Sequence, residues 1–173
     1  MAMRADTHTP HLLHGPYPMH DQDIVPLNVM FSEAFTDRYR RDGLVGVRVP
    51  PLNPVIWRYA IRNAAEGAML WRDHRGAIAA FNLAHRSGTE GWMGPLAVRE
   101  DCQSRGSGKV IVRAAIDHLR RAGCRVIGLE TMPRSMDNIG FFAGLGFIPG
   151  RLTVTMTLEG APALRAPVML SAL

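Results

Sequence analysis

The stretch DCQSRGSG, residues 101–108, sets a glutamine and two glycines separated by one residue just ahead of a helical pattern. The first turn of a helix carries backbone N–H groups with no internal partner, and their dipoles add to a partial positive charge. Gly106 and Gly108 let the chain turn tightly and let a ligand oxygen approach the backbone. Arg105 and Lys109 add full charges beside it. Such a loop is built to bind an anion, and a diphosphate suits it well. For Gly-Ser-Gly alone, a turn that merely starts a helix is the plainer reading. No GK[ST] ends the loop, so it is not a Walker loop. GSGKVI also lacks the third glycine of the dinucleotide fingerprint, and the nearest acidic residue, Glu130, lies about four residues beyond the usual separation.

The elements that must hold this loop follow from periodicity. DQDIVPLNVMFSEAF opens with Asp residues suited to capping, and Ile24, Leu27, Phe31, Ala34 and Phe35 recur at helical spacing. NPVIWRYAIRNAAEG predicts a second helix, with Asn53 as cap, Pro54 in the first position and Gly67 as stop. RRDGLVGVRVPPL between them is a loop by its Gly and Pro content. AMLWRD and AIAAFNLAHRS then alternate with a period of two around the turn DHRG, and WMGPLAV is a further strand. After the glycine loop, Val110, Ile111, Ala114, Ala115, Leu119 and Ala122 form an apolar helical stripe closed by Gly123. RVIGLET predicts a strand, SMDNIGFFAGLGF a short helix and a turn, and RLTVTMTLEG and APVMLSAL two last strands. Residues 1–20 are expected to be a mobile lead-in or, through HLLHGPYPM, a short first strand. Residues 21–173 are expected to form one α/β domain with a mixed sheet. Its hairpins are antiparallel, and strand–helix–strand in the second half gives one parallel pair.

Composition narrows the class. At 173 residues and 47% hydrophobic content the chain can bury one sizeable core. No apolar run approaches the length of a membrane span. The first twenty residues lack an apolar signal-peptide core, so a cytoplasmic location is the default expectation. Cys102 and Cys124 are neither paired nor spaced for a metal, and four of the seven histidines (His8, His11, His14 and His20) crowd the lead-in without ligand spacing. No metal is expected. The net charge of +5 is carried almost entirely by arginines spread along the chain. That distribution does not favour nucleic acid as a partner, and a small anionic ligand explains it equally well.

The surroundings of the loop add a resemblance. GPLAVREDCQSRGSGKVIVRAAIDHL resembles the acetyl-CoA signature of the GNAT N-acetyltransferase superfamily, a strand and an acidic turn followed by Gln/Arg-x-x-Gly-x-Gly/Ala at the start of a helix. Gln103, Gly106 and Gly108 fill those places. FFAGLGF, further on, resembles the second hallmark, an aromatic residue followed by xxxGF. The resemblance is close over residues 90–149, and the order of elements extends it over nearly the whole chain. It implies a mostly antiparallel mixed sheet, splayed between its fourth and fifth strands, with helices on both faces. It also implies acetyl-CoA as cosubstrate. The pantetheine arm would lie along Leu96, Ala97 and Val98, and the diphosphate on the amides of Ser104, Arg105, Gly106, Ser107, Gly108 and Lys109. Pro95 offers no N–H and Gly94 favours an irregular backbone, as a splay point requires. Ser135 stands at the distance of the family's Asn and Asn138 one turn on, either of which would bond the pantetheine or adenosine part. Phe142, grouped with the cofactor-binding residues, stands where many members carry Tyr, so the Tyr-to-thiolate proton step is absent here.

The implied reaction is transfer of an acetyl group to a primary amine of a small molecule or peptide. An ammonium must first lose a proton, for which Glu90 and Glu130 are the candidate bases and His85 a third. Glu90 lies two residues before Trp92, where some members carry their catalytic Glu, and Glu130 ends the fifth strand across the gap, sharing a face with Gly128 by alternation. Arginines among the acceptor-side elements would suit an acceptor bearing a carboxylate or phosphate. A non-catalytic acyl-CoA sensor of the same fold and a binder of nucleotide phosphate or nucleic acid are the alternatives. The terminal strands leave an edge that would allow a homodimer.

Overall fold

Alternation of apolar side chains builds the sheet in the computed structural model, which describes residues 13–150. The strands are β1 (His14–Pro18), β2 (Ala68–Arg72), β3 (Ile78–Ser87), β4 (Glu90–Val98) and β5 (Val126–Leu129). They lie side by side in chain order, every neighbour antiparallel except β4 and β5, which are parallel. The lead-in thus supplies the short first strand, paired with β2. The two strands expected after residue 150, and the edge proposed for a homodimer, lie outside the described residues.

Helices cover both faces. On one face α1 (Ile24–Arg41) and α2 (Pro54–Ala64) bury Leu27, Phe31, Trp57 and Ile61 against Leu70, Phe81, Leu83 and Ala97. Pro54 starts α2, and the Asn53 side chain accepts the Val55 N–H at 2.9 Å, as a cap should. The connecting loop is pinned by Asn28, whose amide exchanges hydrogen bonds with the Leu52 backbone at 2.7 and 2.8 Å while its Oδ1 accepts the Trp57 indole N–H at 2.8 Å. On the other face α3 (Ser107–Arg121) and α4 (Met136–Ala143) pack Ile111, Val112, Ala115, Leu119 and Phe142 against Met69, Trp71, Ala80, Ala84 and Met93.

The predicted stripe of α3 is corrected at one edge. Val110 is half exposed and Val112 is fully buried. At 100° per residue, the arc through Ile111, Ala115 and Leu119 is centred nearer Val112, and Val110 falls behind it.

Arg99 and Asp73 fasten the end of β4 to the β2–β3 turn. The guanidinium of Arg99 donates to buried Asp73 Oδ2 at 2.6 Å, to the Ile78 carbonyl at 3.0 Å and to Asp101 Oδ1 at 2.7 Å. Asp73 Oδ1 accepts the turn amides of Arg75 at 2.9 Å and Ala77 at 3.0 Å. The Arg99 hydrogen bond, helped by those amides and opposed by burial, lowers the Asp73 carboxyl to about 2. A carboxyl depressed by folding stabilises the fold above its ordinary pKa and stops doing so as pH falls through its folded value. We therefore expect stability to decline as pH drops from about 4, the ordinary range of Asp, to about 2. Asp73→Asn should be less stable at neutral pH and flatter across that window, as read from denaturant midpoints at a series of pH values. A native-like slope in Asp73→Asn would contradict the assignment.

Candidate active site

The parallel ladder of β4 and β5 runs from Glu90–Val126 to Met93–Leu129 and stops. Among the described residues, β4 continues beyond it through Val98 paired only with β3 and leaves a gap beside its other edge. The cause is local. Opposite β3, the register passes from Ala84–Met93 to Asn82–Leu96, so Gly94 and Pro95 together face the single residue Leu83. One extra residue bends the strand. Gly94 has φ of +140°, which a residue with a Cβ rarely adopts.

The freed edge carries polar backbone. Arg99 donates its N–H to the Ala79 carbonyl on β3 at 2.9 Å. Antiparallel alternation then turns the polar groups of Ala97 toward β3 and those of Leu96 and Val98 toward the gap. The side chain of Gln103 donates to the Val98 carbonyl at 2.8 Å, tying the glycine loop to the strand end. Of the three strand residues expected to meet a ligand, two thus offer backbone to the gap, while Ala97 is buried in the α1/α2 core.

At the loop, Ser104 (φ +60°) and Gly106 (φ +84°) turn the chain into α3. Val110 makes the first helical hydrogen bond, to the Gly106 carbonyl at 3.2 Å, which leaves the amides of Ser107, Gly108 and Lys109 without a partner in the helix. The Ser107 side chain is buried and donates to the Cys102 carbonyl at 2.8 Å, so Ser107 brings only its amide to the site. Arg105 and Lys109 are exposed beside it. The two glycines have different reasons. A Cβ on Gly106 would meet open space, so its φ is what favours glycine; a Cβ on Gly108 would stand 3.1 Å from Phe141 Cζ, so the close approach of α3 to α4 leaves it little room.

Across the gap, Ser135 is the N-cap of α4, buried, and its Oγ has no hydrogen-bond partner among the described residues. Asn138 is engaged with Thr131 Oγ1 at 3.3 Å. Phe142 is buried, its ring 5.1 Å from that of Phe141 and 5.9 Å from that of Phe147. Glu90 and Glu130 are both exposed and are not brought together. Glu90 sits three residues back from the last rung, about 10 Å toward the closed end of the ladder, whereas Glu130 directly follows Leu129 at the opening. His85 is the cross-strand partner of Trp92. Burial pushes its imidazole below the usual histidine range, against the pull of the Gly94 carbonyl, and Nδ1 has no hydrogen-bond partner. Its closeness to the parting of the strands comes from the pairing of β3 with β4 next to the Gly94–Pro95 bulge. Among the described residues, no group of three or more His, Cys, Asp and Glu is placed to hold a metal. No helix among them is long and apolar enough to cross a membrane.

A family model described as the acetyltransferase (GNAT) family matches residues 30–147. None of the curated proteins compared with the chain matches it. Among solved structures, a mutant form of the BH1408 protein from Bacillus halodurans is 19% identical, with a TM-score of 0.67, over 84% of this chain and 99% of that one. Ard1 from Thermoplasma volcanium is 17% identical, with a TM-score of 0.65, over 83% and 86%. The ribosomal-protein-S18-alanine N-acetyltransferase from Escherichia coli is 18% identical, with a TM-score of 0.59, over 79% of each chain. At these identities the likeness is one of fold.

The two glycines can be told apart by substitution. Gly106→Ala should cost about 1 kcal/mol through its backbone conformation alone. Gly108→Ala should be relieved when Phe141 is trimmed to Leu, and Gly106→Ala should not. Urea midpoints of the singles and doubles measure this, and equal relief at both positions would refute the distinction.

Proposed function

The chain belongs to the GNAT acetyltransferase family, and from that premise we propose that it is an acetyl-CoA-dependent N-acyltransferase acting on a primary amine of a small molecule or peptide. The observation that carries this reading is the release of β4 from β5 beside the bare amides that open α3. The residues fit the cosubstrate. The gap-facing backbone of Leu96 and Val98 suits an extended amide-bearing arm. The amides from Ser104 to Lys109, with Arg105 and Lys109 alongside, suit two linked phosphates. The unpartnered hydroxyl of Ser135 suits a polar group of the arm. Asn138 holds the loop before α4 through Thr131.

When bound there, the cosubstrate supplies an acetyl group on a thioester. The chain must aim it, exclude water and remove a proton from the acceptor. Of the two carboxylates, Glu130 is better supported than Glu90, because it follows the last rung of the ladder. Its charge draws an ammonium toward the gap and offers the proton an exit through water. Phe142 has no proton to give, so the departing sulfur is protonated by the acceptor nitrogen or by water. Peptide amines stay among the acceptors, in keeping with the ribosomal-protein alanine named for the Escherichia coli neighbour. Arg62 of α2 would suit an acceptor carrying a carboxylate or phosphate over a polyamine, whereas Arg38, Arg40, Arg41 and Arg58 pair with carboxylates of the chain itself. Buried free thiols at Cys102 and Cys124 accord with a reducing cytoplasm.

A second reading rests on Phe142, a chain that holds acyl-CoA as a sensor without turnover. The test incubates the protein with acetyl-CoA and a panel of amines, amino acids and peptides while free thiol is followed. Turnover with any acceptor supports the enzyme and eliminates the sensor. A melting temperature raised by CoA without turnover favours the sensor. A protein stabilised by ATP or DNA and not by CoA would overturn both. Gly106→Val should lose the CoA response.

A further inference from the structure

On the sheet face opposite α3, Trp92 joins three strands at the point where β4 leaves β5. It is the cross-strand partner of His85 on β3 and the ladder partner of Gly128 on β5. Its ring covers Gly128 so closely that a Cβ there would stand 2.6 Å from Trp92 Cζ3. Two residues on, a Cβ on Gly94 would project into open space. The route from the His85 ring across β4 to the gap therefore passes a bare glycine and is walled by an indole.

His85 is half-buried, with Nδ1 on its buried side and no hydrogen-bond partner there. A neutral imidazole has one N–H and one lone pair. Burial keeps the ring neutral, while the Gly94 carbonyl favours a proton on the side it faces. With Nδ1 buried, Nε2, the ring nitrogen farther from the backbone, is the one whose lone pair an acceptor can reach.

We infer that His85 Nε2 takes the proton from the acceptor's ammonium group beside the β4 bulge. This rests on the acyl-transfer reading above and names the group that acts first. The ammonium gives one proton to Nε2. The freed lone pair forms the nitrogen–carbon bond to the acetyl carbon. The carbon–sulfur bond breaks with its electron pair going to sulfur. The surplus proton on nitrogen passes to that sulfur, and the imidazolium returns its own proton to water, with Glu130 at the exit. No phenol is needed, in keeping with Phe142.

The test uses whichever acceptor gives the fastest thiol release with the unaltered protein. His85→Ala and His85→Gln are each checked for an unchanged rise in melting temperature with CoA. The inference expects kcat to fall about 100-fold in both, KM for acetyl-CoA to stay within twofold, and free imidazole to restore part of the activity of His85→Ala. An arylamine acceptor, which arrives as the neutral amine and has no ammonium proton to give up, should suffer a much smaller loss. If His85→Ala does not fold, His85→Gln carries the comparison through the two acceptor types. Variants within threefold of the parent, or a loss that is the same for alkyl and aryl amines and untouched by imidazole, would overturn the role of His85 alone. A parent protein inert toward every amine would remove the acyl-transfer reading and this inference with it.

Discussion

One extra residue in β4 governs the whole arrangement. Where Gly94 and Pro95 face the single residue Leu83, the strand cannot keep in step with both neighbours. It keeps β3 and gives up β5. A sheet that parts in its interior leaves backbone groups without ladder partners, and such groups are costly unless water, a side chain or a ligand satisfies them. Gln103 satisfies the Val98 carbonyl. Among the described residues, the remainder of that edge has no strand beside it, and such backbone could pair with an extended amide-bearing molecule.

A wedge in a sheet stays open only if both faces hold it. Each face has its own core, with α1 and α2 on one and α3 and α4 on the other. Polar ties fix the pieces relative to one another. Asn82, fully buried on β3, donates to the Ile111 carbonyl of α3 at 3.2 Å and so sets the helix carrying the bare amides against the strand beside β4. Arg38 near the end of α1 reaches Asp42 at 2.5 Å and Asp137 on α4 at 3.2 Å, linking helices that lie on opposite faces. Asp137 is well exposed, so that arm of the link is weak, and the buried Asp42 arm does more to orient Arg38.

Much of this is legible in the order of residues, and the exceptions share a cause. The cap at Asn53, the start of α3 after Gly106 and the hairpin at DHRG depend on neighbours in the chain, so local patterns show them. The glycine loop is recognisable from its own residues as a turn into a helix. The reason for Gly108 is not, because it lies in Phe141, thirty-three residues away. The same holds for the candidate bases. Alternation puts Glu90 on the face of Trp92, but only the register against β5 reveals that Glu90 stands at the closed end of the ladder and Glu130 at the open one. Sequence alone places His85 third among the bases, since nothing local marks it. Its neighbourhood arises from pairing with Trp92 and from a bulge whose partner strand is fixed only on folding.

The two faces of the gap differ in what they can do with a proton. On the α3 side Met93, Leu96, Leu129, Phe141 and Phe142 are all apolar and belong to or pack on the same core. The opposite face holds His85 and Trp92, and alternation from Gly128 carries Glu130 to that side as well. An apolar surface would favour a neutral thioester and would offer an ammonium nothing. Under the acyl-transfer reading, charge and proton traffic would therefore belong to the face opposite α3, and an acceptor arriving as a cation and reacting as a free amine would be drawn to that side.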